Sequence, residues 1–248
     1  MTAALIARSA RTVTRVPALV ASPVLMSAFF LLIYAGQLGS AGGAMLDGDS
    51  YLAFIVPLVL LTTAFNGGAL AGQLLVRDMT SGYHRRLLLS RAGRSRLVAA
   101  PLLVGAGALA VQAALIVGIG VALGMRPSAA EVAGLVVGTA VAGIGFSLLG
   151  AAAAVRWTTD AAVSSTVLLF FPLSFLTSAF APRGDLTGWM EVAATVNPLT
   201  YVLEALRSVG GSLAPDGAAL PGTIAVGGLL AVGAAACACA FRAVEAAR

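Results

Sequence analysis

The chain has 248 residues, of which 59% are hydrophobic and only 10% charged, with a mean hydropathy of +0.98 and a formal charge of +5. Soluble domains carry about 25% charged residues, so this composition excludes an ordinary soluble core and points to a chain that crosses a membrane several times. A net positive charge in a soluble protein would suggest nucleic acid. Here arginines gathered on one membrane face account for it, and no nucleic-acid partner is expected.

Residues 3–16 come first. Leu5, Ile6, Val13 and Val16 fall within about 100° of one another, and Arg8, Arg11 and Arg15 within about 60° on the opposite side. This predicts an amphipathic helix lying in the membrane interface, with a plain charged tail as the alternative. The apolar run from Val16 to Ile33 is longer than the core of a secretory signal and no A-x-A site follows it, so it is expected to be kept as a span.

The first span is expected over 18–38, with Pro17 and Pro23 at its start, where a missing N–H is tolerated. The second covers 51–75, and Asn66-Gly67-Gly68 inside it either loosens the helix or lets a neighbour approach. A basic island over 77–96 follows, with six of the 15 basic residues and the only histidine. The third span covers 97–125 and the fourth 132–155. Gly120 with Gly124, and Gly134 with Gly138, are small-xxx-small pairs suited to close helix packing. The fifth span covers 162–181, with a kink expected at Pro172. The segment 182–221 is apolar but broken at Asn197-Pro198, which fits two short helices dipping into the membrane. The sixth span covers 222–241.

The expected fold is therefore all-α: one transmembrane domain over 1–248 with six spans. With an even count both termini share a side. That side holds twelve of the 15 basic residues, while Arg126, Arg183 and Arg207 lie opposite. The positive-inside rule makes the arginine-rich side cytoplasmic, with both termini and the island on it.

The sequence contains no lysine, which rules out a GxxxxGK[ST] phosphate loop and a Schiff-base lysine in this chain. Cys237 and Cys239 lie in an apolar run without partner ligands at metal spacing and read as small buried residues. Neither a metal site nor a nucleophile–base pair can be assembled around a single histidine. No cofactor is expected in the chain itself.

Three polar groupings remain. In the island, Thr80 or Ser81 can cap a short helix that sets Tyr83 and Leu87 on one face, with Leu88 adding apolar area. Such a helix fits a groove on a cytosolic partner; the alternative is a solvated loop that only sets topology. Glu204 and Arg207 stand three apart after the Asn197-Pro198 break and are expected to pair locally, either in function or merely to neutralise a turn. Arg156 and Asp160 have i,i+4 spacing beside Trp157, which reads as an interfacial anchor.

Two of these stretches carry a resemblance. SGYHRRLLLSRAGR (Ser81–Arg94) is similar to the G-[TY]-x-x-x-LL segment, and NPLTYVLEALRSV (Asn197–Val209) to the NP-hydrophobic-x-EA-x-R signature, of type-2 ABC exporter membrane subunits. The chain resembles in particular the daunorubicin-resistance-type permeases of actinobacteria. The resemblance covers essentially the whole chain. It departs after the LL pair, where the family often has a proline and this chain has Ser90-Arg91.

The resemblance implies a permease in a bacterial plasma membrane, paired with a second copy of itself or a homologous permease and served by two separate ABC ATPase subunits that hold the ATP and magnesium. It implies an ATPase-coupling segment at Ser81, Gly82, Tyr83, His84, Arg86, Leu87 and Leu88, and a second cytoplasmic contact at Arg156 and Asp160. It implies an extracellular re-entrant hairpin marked by Asn197, Pro198, Tyr201, Glu204 and Arg207, and a path lined by spans one, two and five. The substrate expected is an amphipathic drug, antibiotic or lipid-like compound moving outward. An intramembrane enzyme, an envelope scaffold and a stand-alone carrier are the rivals.

Overall fold

A computed structural model describes residues 2–16, 18–45, 50–81, 94–211 and 217–246. Those residues form nine α-helices and one short 3-10 turn, with no strand among them. The helices are α1 (Thr2–Arg15), α2 (Ala18–Met45), α3 (Tyr51–Thr80), α4 (Arg94–Ala122), α5 (Ala129–Trp157), α6 (Asp160–Phe175), α7 (Trp189–Val196), α8 (Pro198–Val209) and α9 (Ala219–Ala246). The 3-10 turn is Arg183–Asp185.

Five helices are long and apolar enough to cross a membrane, namely α2, α3, α4, α5 and α9. The expected fifth span is shorter than its 162–181 estimate, because α6 stops at Phe175 and residues 176–181 bend away without helical structure. Its 16 residues reach only about 24 Å, less than a hydrocarbon core of about 30 Å. The sequence pattern missed this because the apolar run continues past the point where the helix ends.

The centre of the bundle is α3. Its apolar window is 72% buried, against 11% for α2. A helix apolar on every face belongs in the middle of a bundle. It packs on α2, α4, α5, α6 and α8. Its closest approach is to α5, where glycines remove the side chains that would hold the backbones apart. A Cβ at Gly72 would stand 2.8 Å from the Gly150 carbonyl oxygen, and one at Gly150 would stand 2.8 Å from that of Gly68. Gly67 and Gly68 therefore admit neighbours and leave α3 continuous.

The other small pairs divide. Gly134 and Gly138 do face α8, against Val209 and Leu206. Gly120 packs on Val56 of α3, but Gly124 lies beyond α4 in a turn, with φ +113 and nothing near it.

The caps follow local chemistry. Ser128 and Glu131 form a reciprocal capping box at the start of α5, with bonds of 3.2 and 2.8 Å. Thr158 ends α5 in the left-handed region, and Thr159 accepts from Ala162 N–H to open α6.

At the arginine-rich end, α3 runs past its expected stop at Leu75 to Thr80. The added turn carries Asp78 to Arg8 of α1, 2.6 Å away. The amphipathic α1 is thus fixed to α3 and also rests on α4. Exposed ion pairs contribute only about 0.2–1 kcal/mol, so this one sets position more than stability.

Candidate functional site

Two arrangements of polar side chains stand out, one at each end of the central helix. The first surrounds the bent stretch after α6. Backbone that leaves helical geometry beside lipid must find hydrogen-bond partners within the protein. Asn197 and Arg207 supply them. The Asn197 amide Nδ2 donates to the carbonyls of Leu173 (2.7 Å) and Leu176 (2.8 Å), and its Oδ1 accepts from Leu199 N–H at 3.0 Å to cap α8. Pro198 occupies the first position of α8, where its missing N–H costs nothing.

Arg207 is 1% exposed. Its Nη1 donates to the carbonyl of Ser178 (2.7 Å), its Nη2 to that of Ala179 (3.0 Å) and its Nε to that of Phe54 (3.3 Å). Its guanidinium carbon lies 3.6 Å from the centre of the Phe54 ring. One fork therefore ties α8 both to the bent stretch and to the first turn of α3.

Glu204, 3% exposed, takes both of its close contacts from Arg183, whose Nη2 is 2.9 Å from each carboxylate oxygen. Glu204 stays within electrostatic range of Arg207, as the spacing suggests, and it also forms an ion pair with a residue 21 positions away, Arg183. A nearly dry carboxylate requires a cation, and the loop brings Arg183 to it. The Arg183 guanidinium also lies 4.8 Å over the Tyr201 ring, while the Tyr201 hydroxyl donates to the Thr195 carbonyl at 2.8 Å. Arg183 is the residue the sequence reading missed. Nothing in its RGD setting advertises a partner in α8.

The second arrangement is a cleft of about 820 Å³ between α2, α3 and α6. Its polar lining is Ser22, Asn66, Gln73, Ser164 and Ser165, with Phe171 among its apolar walls. Ser22 lies in the first turns of α2, Gln73 near the end of α3 and Ser164 near the start of α6, so the cleft sits toward the arginine-rich end. Asn66 and Gln73 are i,i+7 and share a face of α3. That spacing of amides inside an apolar span is the signal that would have found them.

Of the expected coupling residues, Ser81 is the C-cap of α3, and its hydroxyl donates to the Asp78 carbonyl at 3.3 Å. Gly82, Tyr83, His84, Arg86, Leu87 and Leu88 lie outside the described residues. Arg156 and Asp160 do not share a helix face. The left-handed Thr158 separates them, one ends α5 and the other opens α6, and no ion pair forms between them. Arg156 instead stands 5.9 Å over the ring of Trp157.

A helical bundle with five helices long and apolar enough to cross a membrane defines a multi-pass membrane protein. The chain belongs to the ABC-2 type transporter family, whose model matches residues 2–209. It is the transmembrane part of an ABC transporter. The daunorubicin resistance ABC transporter permease protein DrrB1 of Streptomyces coeruleorubidus is 27% identical over 75% of this chain and 66% of its own length. Proteins that carry the name transport permease ycf38 are similar too. That of Cyanophora paradoxa is 27% identical over 64% of this chain and 56% of its own, and that of Pyropia yezoensis 23% identical over 82% and 72%. The chain thus spans less than two thirds of the length of the first two.

Proposed function

We propose that this chain is the permease of an exporter powered by separate ATPase subunits, carrying an amphipathic drug, antibiotic or lipid-like compound out of a bacterial cell. The observation that carries this reading is the cleft between α2, α3 and α6. Amides and hydroxyls on one side and aromatic and aliphatic walls on the other suit a ligand with a polar head and an apolar body. The family and the similarity to DrrB1 support the transport class and the kind of cargo.

Both termini lie in the cytoplasm in this scheme, as the arginine distribution favours. Two permeases pair in the plasma membrane, either identical or homologous. Each is served by an ABC ATPase that holds ATP and Mg²⁺. The Ser81–Leu88 segment docks in the ATPase, the loop from Arg156 to Asp160 makes a second contact, and α7 with α8 forms a re-entrant hairpin that closes the outer end.

The deciding experiment is transport in proteoliposomes holding both subunits. The double change Tyr83→Ala with Leu87→Ala removes two apolar anchors, each worth about 2 kcal/mol in a docked interface, so ATPase docking weakens about 700-fold if the two add. Transport is expected to stop while ATP hydrolysis by the ATPase persists. Full transport by a normally expressed double variant would refute the coupling assignment.

The outer hairpin is tested separately. Glu204→Ala leaves Arg183 to turn toward water, at a cost of about 1–2 kcal/mol. Export is expected to fall while membrane insertion and co-purification with the ATPase persist. Unchanged efflux would reduce the Arg183–Glu204 pair to a structural brace.

A further inference from the structure

A second groove, of about 440 Å³, lies away from the α2–α3–α6 cleft. Its floor is one stripe of α5: Leu149, Ala152, Ala153 and Arg156. These positions fall on a single helical face and extend about 10 Å along it. Both α6 and α9 pack on α5, so that Ala152 and Ala153 are nearly covered at the bottom of the groove while Leu149 and Arg156 stay accessible at its two ends. The walls are Leu169 and Phe170 from α6 and small residues from α9, including the exposed Cys239. Leu169 is 63% exposed, so the groove opens sideways onto the surface that faces lipid.

Apart from Thr166, whose hydroxyl donates to the Val163 carbonyl at 2.6 Å, the groove is apolar along its length, and it is charged at one end. Arg156 closes it at the arginine-rich end of the bundle, beside Trp157, which is 62% exposed. Tryptophan in such a position marks the headgroup level of a bilayer. Among the described residues Arg156 has no ion pair, and its charge stands over the Trp157 ring, at the boundary between apolar channel and water. An occupant must have a slender apolar body and an anionic head.

We propose that the groove between α5, α6 and α9 binds an anionic phospholipid, with its phosphate on Arg156 and an acyl chain along the α5 stripe. Small walls admit the chain, and the arginine supplies the complementary charge. A protein segment would need polar groups to meet its backbone, and these walls offer almost none. The inference rests on the bundle crossing a membrane and not on the transport reading. It assigns the Arg156 side chain to lipid and leaves Asp160 and the loop for any ATPase contact.

Trp157 is one of two tryptophans, so Trp189→Phe leaves it as the sole reporter. The full chain carrying that change is placed in mixed vesicles, brominated phosphatidylglycerol with unbrominated phosphatidylcholine or brominated phosphatidylcholine with unbrominated phosphatidylglycerol, over a range of mole fractions, and quenching of Trp157 is read. One basic contact strengthens binding to an anionic headgroup about fivefold, so that is the expected preference for phosphatidylglycerol. Arg156→Gln should bring the ratio to about one, while Arg156→Lys should keep most of it. Equal quenching by both lipids in the Arg156 protein would overturn the proposal. So would a preference that survives Arg156→Gln. Circular dichroism of each variant establishes that the helices are retained, and no ATPase is present, so failure here says nothing against the transport reading.

Discussion

Gly72→Val is expected to cost about 3 kcal/mol or more and to lower the melting temperature of the detergent-purified protein by about 6–12 °C. The reason is the crossing of α3 and α5. A Cβ at Gly72 would stand 2.7 Å from a Val163 methyl and 2.8 Å from the Gly150 carbonyl oxygen. A methyl group can turn aside, but a carbonyl held in the α5 ladder cannot. The two helices must separate, and every contact along the seam loosens with them. Gly107→Ala is the matched control. It also lies within a helix, yet nothing approaches within 4 Å of its new Cβ. It should be neutral or slightly stabilising, because alanine restricts the unfolded chain. Equal melting temperatures for Gly72→Val and the parent protein would mean that this seam is not the tight axis of the bundle.

Arg207→Met is expected to cost about 3 kcal/mol, with its effect concentrated in residues 176–188. Methionine roughly keeps the volume against Phe54 but takes away the donors to the carbonyls of Phe54, Ser178 and Ala179. Each buried carbonyl left without a partner costs about 1–3 kcal/mol, and relaxation recovers part of it. Arg207→Lys should rescue only partly, since an ammonium cannot serve two carbonyls in a fork and lie flat on a ring. Hydrogen exchange should show faster exchange over 176–188 in Arg207→Met, with α4 and α5 unchanged. Protection equal to the parent in that segment would show that the bent stretch holds without the arginine.

These two sites differ in how readily the sequence disclosed them. The helices were legible because apolar runs of membrane length admit few alternatives. Gly134 and Gly138 announced a close approach by their spacing, and α8 meets them there. Gly120 and Gly124 had the same spacing, yet the helix ends before Gly124. The pattern alone cannot distinguish a helical glycine from one in a turn.

The outer network was legible only by halves. Asn197, Glu204 and Arg207 stood out as polar residues in an apolar segment. Their partners did not, because five of them are backbone carbonyls and one is Arg183, brought in by a bend that no periodicity records. In α3, Asn66 drew notice only as part of Asn66-Gly67-Gly68, and Gln73 was passed over. Their importance lies in a cleft that exists only once α2 and α6 stand on either side.

By itself, then, the sequence determined that this protein is a helical membrane chain with an arginine-rich end and a polar signature before its last span. Those properties follow from the cost of burying charge and backbone in lipid, which acts on each segment separately. Only the tertiary structure decided that α3 is the central helix, that α6 ends early, that Glu204 answers to Arg183, and that two grooves flank the bundle. Each of these depends on distances between residues far apart in the chain, and composition and spacing carry no information about such distances.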